Sequence, residues 1–195
     1  MSVRVIAVAD APWEDVRTVF GTRGDPATCW CQFFKVDSAT WKAADPGRFE
    51  RALCSEIDDA RAAHQAGPGV LAYDGEEPVG WAAVEPRSAY RRILTSKIVK
   101  LSAHPPDQTD VWSVTCFVVR TGHRRGGVAR ALLDAAVDQA RAGGARIVEA
   151  YPVDATTGAS SAELYHGPLS IFEAAGFDVV ARDGAKRAVV QLAVR

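Results

Sequence analysis

The stretch RTGHRRGGVARALL, residues 120–133, sets basic side chains and two adjacent glycines directly before a run with helical spacing. A helix opens on amide N–H groups that have no partner within the helix, and its dipole adds partial positive charge there. Phosphate oxygens suit such a site. Gly126 and Gly127 let the backbone close on a diphosphate, and Arg124, Arg125 and Arg130 add charge to hold it. The chemistry these residues point to is the binding of a phosphate-bearing ligand. The Walker loop is excluded because its Gly-Lys-Ser/Thr ending is missing, and the dinucleotide fingerprint G-x-G-x-x-G is missing too.

Three other groups of residues have types that do chemistry. Glu149 is an acid inside the apolar run ARIVEAYPV, where a carboxylate needs either a partner, such as Arg146, or a raised pKa. Glu85 and His166 are candidates of the same kind. In TCWCQFFKV, the aromatics Trp30, Phe33 and Phe34 could shape an apolar cavity, with Gln32 as one orienting polar contact; the alternative is that the rings only plug space over a sheet. Cys29 and Cys31 form C-x-C, but no second pair follows at zinc-ligand spacing, and Cys54 and Cys116 are isolated, so no metal site is expected.

These residues need elements to position them. Residues 3–9 alternate as a strand, WEDVRTVF is a short amphipathic helix, and a second helix runs from about Pro46 to the stop at Gly67 and Pro68. GVLAYDGEEPVGWAAVEP reads as two strands around an Asp-Gly turn, and VWSVTCFVV as a buried central strand. The glycine-rich helix carries Leu132, Leu133, Ala136, Val137 and Ala140 on one face and ends at Gly143 and Gly144. ARIVEAYPV follows as a strand, so the middle of the chain spells strand, helix, strand, a unit that closes as a right-handed parallel crossover. A loop from Asp154 to Glu163, a helix near PLSIFEAAG and two strands, FDVVAR and RAVVQLAV, complete a mixed α+β domain with one sheet.

The chain has 195 residues, which is enough for one sizeable core, and its formal net charge of −1 gives no broad attraction to nucleic acid or an anionic membrane. No apolar run reaches the roughly 20 residues needed to cross a bilayer, and no secretory signal is read at the start. Four cysteines without an export signal point to reduced thiols in the cytoplasm.

The run Arg124-Arg-Gly-Gly-Val-Ala129 resembles the acyl-CoA loop of the GCN5-related N-acetyltransferases (GNAT), Arg/Gln-x-x-Gly-x-Gly/Ala, and it follows a strand ending CFVV at the family's distance. EAAGF at residues 173–177 is similar to the family's late helix running into its penultimate strand. The resemblance covers most of the chain from about Val70 onward. It implies a single GNAT domain over residues 1–195, with a mixed sheet of about seven strands whose parallel central pair splays apart, and acetyl-CoA as co-substrate. Backbone groups of Phe117, Val118 and Val119 would pair with the pantetheine arm, and amides from Arg124 to Ala129 would hold the pyrophosphate. An N-acetyltransferase acting on a small-molecule amine is the leading expectation. A protein acetyltransferase and a non-catalytic acyl-CoA sensor remain as alternatives, and pairing into a homodimer is common in such proteins.

The resemblance also implies a base for the amine and an acid for the departing thiolate. The tyrosine usual for the acid is replaced by Phe172, which has no proton to give. Tyr165 is the first substitute, ahead of Ser170 and Tyr151, and the base is left open between Glu149, Glu85 and His166. The segment with Trp30, Gln32 and Phe33 lies where such proteins build a wall of the acceptor pocket, with Glu85 as a further acceptor contact.

Overall fold

The computed structural model describes residues 3–160 and 162–194. Its strands are β1 (Val3–Ala7), β2 (Gly69–Asp74), β3 (Glu77–Pro86), β4 (Val111–Val119), β5 (Ile147–Ala150), β6 (Asp178–Asp183) and β7 (Arg187–Ala193). They form one sheet in the order β1-β2-β3-β4-β5-β7-β6, in which β4 and β5 are parallel and the other neighbours antiparallel. The helices are α1 (Trp13–Phe20), α2 (Gly24–Cys29), α3 (Ser38–Lys42), α4 (Arg48–Ala62), α5 (Arg91–Leu94), α6 (Val128–Ala142) and α7 (Leu169–Ala174). The expected α+β class and seven-stranded mixed sheet are what is observed.

One face of the sheet is closed by α6 and α7. The apolar stripe of α6 meets Val114 and Phe117 of β4 and Val148 of β5 in the largest core cluster. Each leucine so buried contributes about 1.5–3 kcal/mol. The helix lies so close to β3 that a Cβ on Gly80 would come within 2.8 Å of Val128 Cγ1, so only glycine fits there. The other face is covered in two halves. Residues from α1 and α4, with Trp30 and Cys31 just after α2, pack over Trp81, Ala83 and Val118, while the segment holding Tyr90, Ile93, Ile98 and Val99 packs over Tyr151 and Val189.

Two irregularities set the course of β4. Ala83 pairs with Cys116 but Val84 pairs with Val114, so Thr115 is the extra residue of a bulge. Pairing with β5 runs only from Val111↔Ile147 to Val114↔Ala150, although β4 continues to Val119. The parallel pair therefore opens beyond Val114. β5 is shorter than the apolar run suggests because Pro152 follows it and Val153 bridges instead to Pro168 and Arg187. The segment between α1 and α4 is not a plain loop; it folds into α2 and α3, whose shortness hid them from periodicity.

Candidate active site

Past Val114, alternate residues of β4 face two different cavities. Phe117 and Val119 line one of 560 Å³ on the α6 side, with Arg124, Gly127, Val128 and Ala129 from the loop and first turn of α6. Thr115, Cys116 and Val118 line another, of 330 Å³, on the opposite face, under Phe33, Phe34 and Trp41. Among the described residues Tyr165 alone belongs to both linings.

The larger cavity is fitted to an anion. Gly127 is the residue before α6, at φ +84°, and no side chain caps the helix start, so the first amides are left for a ligand. Arg125 also has a positive φ, +63°, a strained state for a residue with a Cβ that persists where function holds it. The arginines differ in freedom. Arg130 is held by Asp134 at 2.9 Å and donates to the Ala174 carbonyl at 2.8 Å, and Arg124 donates to the Val119 carbonyl at 3.2 Å. Arg125 is exposed. Of the residues expected to meet the pantetheine and diphosphate, Val118 and Gly126 are not in the larger cavity's lining, and Val118 lines the smaller cavity.

Tyr165 and His166 sit side by side on a 3-10 turn, Glu163–His166, that closes the mouth of the splay. His166 Nδ1 lies 3.1 Å from the Thr115 carbonyl oxygen. A carbonyl oxygen only accepts, so Nδ1 carries the proton and Nε2 keeps its lone pair. Burial, helped by Arg187, pushes the imidazole down to about 4, so it stays neutral. Burial, with Asp25 nearby, holds the Tyr165 phenol above its usual value, so it stays protonated. The turn thus pairs a proton acceptor with a proton donor. Phe172 is fully buried, edge-on to Phe117 at 5.9 Å and Phe177 at 5.3 Å, and offers no hydroxyl. Tyr151, one of the substitutes, is committed by a 2.6 Å hydrogen bond to Glu149, and Ser170 lines neither cavity.

Four expected residues lie elsewhere. Glu149 is fully buried and lines neither cavity; its carboxylate accepts from Arg87 at 3.2 Å, Gln191 at 2.7 Å and Tyr151, and also from Ser102. Its burial is matched by Arg87, an arginine distant in sequence, and not by Arg146. Trp30 is stacked in the core between Phe20 at 4.7 Å and Trp13 at 5.7 Å, its N–H given to the Ala27 carbonyl. Gln32 is buried and spends its amide on Glu56, at 3.1 Å. Glu85 is paired with Lys35 at 2.5 Å, and burial raises it although Lys35 opposes the shift. Phe33 does line the smaller cavity. Asp25 and Trp41, which line it too, had no signal in the sequence, since only the fold of α2 and α3 brings them there. Among the described residues, no three side chains of the metal-binding types converge, and no helix is long and apolar enough to cross a membrane.

A family model described as the acetyltransferase (GNAT) family matches residues 30–167. The fold is similar to solved structures at low identity. The PaiA N-acetyltransferase of Thermoplasma acidophilum in complex with coenzyme A is 12% identical, with 100% of each chain covered and a TM-score of 0.56. The ribosomal-protein-alanine N-acetyltransferase of Brucella melitensis is 14% identical, with 100% of each chain covered and a TM-score of 0.54. A GCN5-related N-acetyltransferase of Kribbella flavida is 19% identical, with 98% of each chain covered and a TM-score of 0.52. No curated protein matches the chain.

Proposed function

Because the chain belongs to the acetyltransferase (GNAT) family, we propose that it moves the acetyl group of acetyl-CoA directly to the primary amine of a small molecule, across the opening between β4 and β5. The observation that carries this reading is Tyr165, the one described residue common to the two cavities, since the reacting atoms must lie where they meet. The uncapped start of α6 would hold the diphosphate, and Phe117 and Val119 would flank the arm that leads to the thioester. The similar fold solved with coenzyme A bound supports coenzyme A as the ligand.

His166 Nε2 takes a proton from the amine as the nitrogen bonds to the acetyl carbon. Tyr165 gives its proton to the sulfur as the carbon–sulfur bond breaks. Solvent then returns the proton from His166 to the phenolate, so charge and atoms balance. His166 replaces Glu149 as the base, because Glu149 is bound on every side by Arg87, Ser102, Tyr151 and Gln191. The described chain contributes to one sheet, which supports a single domain, and four free thiols support action in the cytoplasm.

Calorimetry with coenzyme A and chromatography of coenzyme A release test the reading. Binding with amine-stimulated release is expected. Binding without any stimulated release would favour a sensor, and no binding would end both readings.

A further inference from the structure

The smaller cavity is poor in charge and in hydrogen-bonding groups for a site that takes an amine. Asp25 is the only carboxylate among its described lining residues, and His166 is neutral. Burial pushes the Cys29 thiol up to about 12 and raises that of Cys31, beside which Cys116 lies, so Cys29 and Cys31 carry no charge. They present soft sulfur, a good surface for an aromatic ring. One wall is a fixed aromatic corner in which Phe33 meets Phe34 edge-on at 5.1 Å and Trp41 at 5.2 Å. Phe33 carries the Arg92 guanidinium over its ring at 4.2 Å and still remains 39% exposed, leaving apolar surface open to a ligand. A sugar or polyamine would lose more hydrogen bonds to water than the few hydroxyls here, such as Thr28 and Thr115, can replace.

Resting on the acetyl transfer proposed above, we infer that the acceptor is a compact primary amine on an aromatic body, an arylalkylamine, whose ring lies against Phe33 and Trp41 and whose ammonium is drawn in by Asp25. Asp25 is exposed, in the first turn of α2, and forms no ion pair with a described residue; its field reaches both Tyr165 and Cys29. It steers the cation to the mouth, where the ammonium gives one proton to solvent and the neutral amine then meets His166. The cavity of 330 Å³ is of the size that takes a small molecule whole.

The test gives the full chain acetyl-CoA and, in turn, 2-phenylethylamine, glucosamine, spermidine and a lysine-containing tetrapeptide, with coenzyme A release read by chromatography. The ratio kcat/KM is expected to favour 2-phenylethylamine by about 100-fold or more over each of the others. Asp25→Asn should raise its KM about fivefold with kcat nearly unchanged. Phe33→Ala should lower its kcat/KM about tenfold while sparing coenzyme A binding. Equal or better turnover of the sugar, polyamine or peptide would overturn the inference and leave acetyl transfer standing. So would coenzyme A binding with no turnover of 2-phenylethylamine. Failure to bind coenzyme A in calorimetry would instead remove the acetyl transfer itself.

Discussion

The two cavities on either side of β4 share Tyr165 and are otherwise built in opposite ways. The α6 side draws on the tip of β4, the loop after it, the first turn of the helix and the segment around Tyr165. It offers a ligand backbone amides and arginines. The other side is gathered from residues 25–41, from the bulged middle of β4 and from the turn before α7. It offers ring faces, thiols and one carboxylate. A diphosphate has the same charge and shape wherever it occurs, so a local device can bind it; a particular amine must be recognised by a shape, and shape comes from surfaces that are distant in sequence.

The sharpest way to break this division of labour is through a residue on neither side. Glu149→Ala should lower stability by about 3–5 kcal/mol, because Arg87 is left charged and buried, while kcat of the folded fraction holds. Chemical denaturation and active-site-normalised rates check both; an unchanged stability with lost kcat would return Glu149 to the chemistry. Next in size is the shared residue. Tyr165→Phe should cut kcat about 100-fold with little change in KM for acetyl-CoA, and an unaltered rate would take the phenol out of the transfer.

A smaller effect belongs to His166. Its folded-state value of about 4 lies below the ordinary 6.5, so between these two pH values the unfolded chain binds a proton that the folded chain refuses. The stability His166 provides is therefore complete above about pH 6.5 and is lost as the pH falls toward 4. From pH 6.5 to 5 the loss is about 1.5 kcal/mol, and thermal melts of His166→Gln should lack that part of the slope. The smallest change is confined to the α6 side. Gly127→Val forces a β-branched residue toward φ +84° and should weaken coenzyme A binding about tenfold by calorimetry, leaving KM for the amine alone.

The order of the elements was legible because each carries its own period: β4 reads as a β-branched apolar run, α6 as a stripe from Leu132 to Ala140, and β2–β3 as a hairpin around Asp74-Gly75. The proposed phosphate site was legible for the same local reason, with glycines and arginines adjacent to the start of α6. Residues whose role depends on partners were not. Glu149 has the look of a catalytic base until Arg87, far away in the chain, is seen to be its counter-ion. Trp30 and Gln32 stand next to Phe33 in sequence yet turn into the core, because Trp30 and Cys31 both take positive φ and the chain reverses there.

From its sequence alone this protein is committed to a mixed sheet, a central strand and a glycine-led, uncapped helix start, since period and helix-end chemistry are properties of neighbouring residues. Only the tertiary structure decided which carboxylate is neutralised by an ion pair, which tyrosine stands between the cavities and which rings face the acceptor. Those outcomes depend on burial and on contacts across the sheet, and neither exists until the chain is packed.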